Sequence, residues 1–203
     1  APGGRAYDAR LGVNQLASVG PEGDVKVADI PGEPGGYVAL AISPDGRWLS
    51  LTAQLSDRIV ILDLADPLAP KAVREIPVAD GPFESVFSRD GKELWVTNLD
   101  ANQVTVIDTE TWAVSAVLEH DGFMQPHGIT RSPDGAWIWI SNRHQHGGAH
   151  DHEGGKATGK GTVIAICAAT REVAAELAVG AYAAGLSVPA DTARAPVAPA
   201  ACR

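Results

Sequence analysis

Short apolar runs alternate with polar, turn-forming breaks along most of this chain. Runs at residues 38–42, 83–87 and 127–131 each lead into a Ser-x-Asp-Gly phrase: Ser43-Pro44-Asp45-Gly46, Ser88-Arg89-Asp90-Gly91 and Ser132-Pro133-Asp134-Gly135. A second apolar run follows each phrase, at 48–52, 94–98 and 138–142. Two such runs joined by an Asp-Gly turn predict a hairpin. Third runs at 59–63 and 104–108 end in Asp, 20 residues after the turn serine, and fourth runs cover 72–78, 112–118 and 172–179. The phrases start 45 and 44 residues apart, so one four-stranded unit is written three times.

One four-stranded sheet cannot cover both of its apolar faces alone, so such units stack face to face around an axis. The expected fold is therefore all-β: a β-propeller of four-stranded antiparallel blades whose innermost strands line a channel. Residues 14–19 and 25–30 read as third and fourth strands of one more unit, and 182–188 as a first strand. Joined, they would make a composite closing blade, about four blades in all, with both edges removed. A partial ring that closes as a homodimer, or a shortened relative of a larger propeller, are the alternatives. The domain is expected to cover 1–189, followed by an Ala- and Pro-rich extended tail at 190–203.

Composition narrows the partners. With 16 Lys and Arg against 25 Asp and Glu the net charge is −9, and no basic cluster occurs, which argues against nucleic acid and anionic lipid. No apolar run approaches the ~18 residues that span a bilayer. Cys167 and Cys202 lack CxxC spacing, and a bridge between them is left open. The opening Ala1-Pro2-Gly3-Gly4 has no Met, consistent with a processed secreted or periplasmic protein, a trimmed chain or a fragment.

The segment Glu93-Leu94-Trp95-Val96-Thr97-Asn98, then Val104-Thr105-Val106-Ile107-Asp108-Thr109, resembles the YVTN-type β-propeller repeat, as does Pro126-His127-Gly128-Ile129 running into Ser132. That resemblance implies the propeller fold, with relatives that include lactonase-like, dehydrogenase-type and haem-carrying propellers and surface-layer proteins. It implies a functional site at the channel mouth. No CxxCH haem attachment motif is present.

Chemistry is sought where the repeat is broken. From Ser132 to Cys167 is 35 residues, against 20 in the other units, so 15 are extra. This insertion carries His144, His146, His150 and His152 with Asp151 and Glu153 among glycines, a ligand set for a divalent ion such as Zn. The reading set beside it is a solvated His/Gly loop. A second constellation comes from inner strands: Glu84 and His127 near the starts of first strands, Asn98 and Asn142 at matching ends of second strands. Glu and Asn oxygens suit Ca²⁺, a bound cation could polarise an ester or lactone carbonyl, and His127 could act as general base. Tyr37 and Tyr182 open first strands, where they would line the channel and meet a small-molecule substrate, with aromatic packing as the reading set beside it. The function expected is a metal-assisted lactone or ester hydrolase at the channel mouth, with a non-catalytic binding module for a metal, small ligand or partner protein as the alternative.

Overall fold

A computed structural model describes residues 2–144, 160–188 and 202. An N-terminal sheet holds β1 (Ala6–Arg10), β2 (Gln15–Val19) and β3 (Val25–Asp29). The first full blade is β4 (Tyr37–Ile42), β5 (Trp48–Ala53), β6 (Arg58–Asp63) and β7 (Lys71–Pro77). The second is β8 (Pro82–Phe87), β9 (Glu93–Asn98), β10 (Gln103–Asp108) and β11 (Ala113–Glu119). The third is β12 (Pro126–Arg131), β13 (Trp137–Asn142), β14 (Thr162–Cys167) and β15 (Val173–Ala178). Each sheet is an antiparallel meander in sequence order. No helix among the described residues is long and apolar enough to cross a membrane.

The recurring phrase does local work. Ser43, Ser88 and Ser132 accept from the backbone N–H of Trp48, Glu93 and Trp137 at 2.9–3.0 Å and donate to Asp45, Asp90 and Asp134. Gly46, Gly91 and Gly135 take the positive φ (75°, 75° and 79°) that closes the turn, a region costly for any residue with a Cβ. At the far ends of the third strands, Asp63 and Asp108 accept from turn amides, Ala65 and Thr111 at 2.7 Å.

The inner strand of each full blade starts with a bulge: the Pro82 and Ser85 ladder partners are Asn98 and Val96, so Phe83 and Glu84 oppose Thr97 alone. The same irregularity places His127 and Gly128 opposite Ser141, and Val38 opposite the Thr52–Ala53 step. One hydroxyl fills each bulge. Thr52, Thr97 and Ser141 accept from the backbone N–H of Ala39, Glu84 and Gly128 at 3.0 Å. Each then donates across the blade boundary, Thr52 to the Phe83 carbonyl (2.7 Å), Thr97 to the His127 carbonyl (2.9 Å) and Ser141 to the Ala184 carbonyl. Blades are thus joined at the axis by a polar staple.

Apolar layers join them further out. Leu16, Leu49, Leu51 and Leu62 fill the first join, Ile59, Ile61, Leu94 and Val96 the second, and Trp95, Val106, Ile138, Ile140 and Ile164 the third. The sheets follow one another in a row, β1 against β4, β4 against β8 and β8 against β12.

The ends differ in detail from the sequence reading. β1 was not anticipated, because Ala6-Tyr7-Asp8-Ala9-Arg10 lacks an apolar run. The N-terminal sheet is built from β1–β3 alone, while 182–188 runs past the third blade without a ladder, holding the place of a next inner strand through Ala184. Cys167 stands where the other blades carry Asp63 and Asp108, and it forms a disulfide with Cys202. That bridge lies with Ala136, Trp137 and Ala165 on the far face of the third blade, with Trp139 beside it. The rest of the tail at 190–203 lies outside the described residues.

The staple has a measurable value. Thr97 is fully buried, so Thr97→Val leaves the Glu84 N–H and the His127 carbonyl without their partner. Urea unfolding should show a loss of about 1–3 kcal/mol, and an unchanged midpoint would remove the staple from the fold's supports.

Candidate functional site

The bulges decide where the polar residues of the inner strands go. An extra residue turns the strand and re-aims its side chains. Glu84 leaves the second blade toward the third, where its Oε2 accepts from the Ile129 backbone N–H at 3.2 Å. Its Oε1 lies 4.0 Å from Nδ1 of His127, which starts the third blade. The His127 ring packs on Phe83 with centroids 3.8 Å apart, and its Nε2 accepts from Nη2 of Arg143. Arg143 follows β13 directly, and its guanidinium lies 5.7 Å from the centre of the Phe83 ring. Glu84, His127 and Arg143 therefore form one chain of contacts across a blade boundary.

Burial sets the charges. His127 is 7% exposed, and desolvation, aided by the Arg143 charge, lowers its pKa from 6.5 to about 4, with the Ala184 backbone pulling weakly the other way. At neutral pH the imidazole carries no charge, and the Arg143 contact at Nε2 leaves its proton on Nδ1, toward Glu84. The Glu84–His127 contact is thus not an ion pair at pH 7. Desolvation raises the Glu84 carboxyl above its usual range, opposed by the Ile129 N–H and by Arg143. Burial lowers Arg143, opposed by Glu84 and Tyr182, yet a guanidinium stays protonated. The cluster therefore presents one cation, one carboxylate with a third of its side chain exposed (32%), and a neutral imidazole between them.

The other expected site residues are placed as follows. Asn98 is fully buried and bonds Thr105 inside its own blade at 2.7 Å. Reorienting its amide also brings in the Ala79 carbonyl at 3.1 Å, so its polar atoms are spent on the fold, not turned to Glu84. Asn142 is equally buried, but Ile164 stands where Thr105 offers its hydroxyl at the matching register, and both its amide atoms lack a partner among the described residues. His144 contacts the Thr162 hydroxyl at 3.3 Å. Tyr37 is 1% exposed and packs in the core under the N-terminal sheet, so it offers no surface to a substrate. Tyr182 is exposed near Arg143. His146, His150 and His152 lie outside the described residues. Among the described residues no three His, Cys, Asp or Glu side chains gather as a metal site, and a Glu84–Asn98–Asn142 set does not fit one because Asn98 is committed elsewhere.

Arg143 and Phe83 were missed by sequence reasoning. The signal for Arg143 existed: it occupies the station after the second strand where the other units carry Gln54 and Leu99, each giving its N–H to the loop before the inner strand.

Comparisons agree with this geometry at the level of fold. No family model matches the chain. Solved structures align over most of it: hydrazine synthase of Kuenenia stuttgartiensis (TM-score 0.73, 20% identity, 88% of this chain and 47% of that one). The periplasmic gluconolactonase PpgL of Pseudomonas aeruginosa aligns with TM-score 0.68 at 20% identity, over 89% of this chain and 52% of that one. Virginiamycin B lyase of Staphylococcus aureus gives 0.67 at 15%, over 88% and 53%. The fold is that of a β-propeller. This chain spans about half of those propellers. In sequence, two uncharacterized proteins of Staphylococcus epidermidis are 27% identical over 109 residues, 50% of this chain and 32% of their own length.

The lowered His127 pKa makes stability depend on pH. Between pH 6.5 and about 4 the unfolded chain binds a proton on this imidazole that the folded chain refuses, so stability falls as pH drops through that window. The loss from His127 is at most roughly 3 kcal/mol. Glu84, raised by burial, has the opposite sign and gains as pH falls, so the net slope is smaller. Urea midpoints taken from pH 7 to pH 4 should fall more steeply in the wild type than in His127→Gln. Parallel curves would contradict the assignment.

Proposed function

We propose that this chain hydrolyses a lactone or ester at the inner mouth between its second and third full blades. One observation carries the reading: Glu84, His127 and Arg143 are brought from two blades into one cluster. A partly exposed carboxylate, a buried neutral imidazole and a guanidinium match the needs of acyl transfer to water. Glu84, tied at Oε2 by Ile129, takes a proton from water on Oε1 as the water adds to the carbonyl carbon. Arg143 stabilises the negative charge that develops on the carbonyl oxygen. The Glu84 carboxyl then returns the proton to the departing alkoxide, giving a hydroxy acid, or an alcohol and an acid.

His127 has a supporting part here. Its Nε2 lone pair is taken by Arg143, so the base role that the sequence reading gave to His127 passes to Glu84, and the imidazole holds Arg143 in line. Arg143 likewise carries the charge that the sequence reading assigned to a divalent ion. Support of a weaker kind comes from the fold neighbours, which include a gluconolactonase and a catalytically inactive histidine-to-alanine variant of virginiamycin B lyase. The Cys167–Cys202 disulfide fits an oxidising compartment, so we place the protein outside the cytoplasm.

A panel of γ- and δ-lactones and nitrophenyl esters, with and without chelator, tests the reading on the full chain. Glu84→Gln should lower kcat/KM about 10²–10⁴-fold. Arg143→Gln should lower it about 10²–10³-fold, through kcat. A wild-type chain inert on every member, or a Glu84→Gln variant at the wild-type rate, would sink it.

A further inference from the structure

Gly36, Gly81 and Gln125 occupy one station in the three full blades. Their carbonyls accept from the backbone N–H of Gln54, Leu99 and Arg143 at 3.1, 2.7 and 3.2 Å, closing the same loop over each inner strand. All three are left-handed, with φ of 62°, 67° and 53°. Two blades meet this demand with glycine, which visits that region freely. The third uses a residue with a Cβ, for which the region is disfavoured. Pro126 follows and further restricts its backbone.

Such an outlier persists only where its surroundings over-determine it, and such outliers cluster at functional sites. Gln125 is 7% exposed, and its N–H donates to Asn102 Oδ1 at 2.7 Å. Its carbonyl holds the Arg143 backbone, the Met124 carbonyl next to it holds His144 at 3.0 Å, and His127 lies two residues on. One turn therefore ties together the β10 hairpin, the start of β12 and the end of β13. The blade that departs from glycine here is the blade that supplies both His127 and Arg143.

We propose that Gln125 is a positioning residue, kept in a costly backbone conformation because its buried side chain locks the turn that sets His127 against Phe83 and Arg143. A glycine at this station would satisfy the φ and free the turn. Its effect on rate rests on the hydrolase reading; its effect on the ring geometry does not.

Two variants of the full chain test this: Gln125→Gly, and Gln125→Asn, since Asn tolerates the left-handed region and keeps a shorter amide. The first readout is the proton NMR shift of the His127 ring, assigned by its loss in His127→Gln, because stacking on Phe83 at 3.8 Å displaces it. In folded Gln125→Gly these signals should move toward the positions of an unstacked imidazole, with Gln125→Asn between it and the wild type. The second readout is kcat, expected to fall about tenfold in Gln125→Gly, as a misplaced group does. A folded Gln125→Gly that keeps the wild-type ring shifts and kcat overturns the proposal. Should Gln125→Gly fail to fold, the ring shifts of Gln125→Asn decide in the same way. If the wild type hydrolyses nothing, the hydrolase reading has failed, and the ring shifts alone rule on Gln125.

Discussion

The hydroxyl that fills each inner-strand bulge is the contact on which this structure turns. Without Thr52, Thr97 and Ser141, an extra residue on each inner strand would leave a backbone N–H unpaired near the axis. An unpaired buried amide costs far more than the net gain of an ordinary hydrogen bond. The same oxygen has a proton to give, and it gives it to the next blade. Bulge and blade register are therefore fixed by one group. The apolar layers further out supply most of the burial energy, but they are non-directional and would tolerate a blade sliding by a fraction of a residue.

From that constraint the site follows. A regular ladder would alternate Phe83 and Glu84 across the two faces of the sheet. The bulge lets both reach the third blade, Phe83 as a platform for His127 and Glu84 as a carboxylate anchored on the Ile129 N–H. Burial then removes the charge from His127, and the Arg143 charge holds it off. The network is only partly paired: Arg143 donates to the imidazole Nε2, while Nδ1 of His127 stays 4.0 Å from Glu84 and, like Nε of Arg143, is buried without a hydrogen-bond partner among the described residues.

The third blade departs from the repeat at several neighbouring points. Gln125 stands where the other two blades carry glycine, and Arg143 where they carry Gln54 and Leu99. Cys167 replaces a capping aspartate and ties the blade to Cys202.

Much of the fold was legible in the chain because its determinants are local. Ser-x-Asp-Gly closes a turn wherever it stands, alternating apolar runs flank it, and a period of 44 or 45 residues counts the units. β1 escaped because Ala6–Arg10 is held by pairing with β2 and packing on β4, not by its own pattern. Glu84 and His127 stood out as polar residues at strand starts, yet their partnership spans two blades and depends on a bulge that leaves no mark in composition. Asn98 and Asn142 looked alike in sequence; only the residue across the ladder, Thr105 or Ile164, makes one satisfied and the other not. Residue order alone determined the repeated unit, its turns and the all-β architecture, since these rest on neighbours along the chain. Tertiary structure alone decided that Arg143 meets His127, that the imidazole is neutral and that Cys167 meets Cys202, because burial and distance through space are properties of the assembled blades.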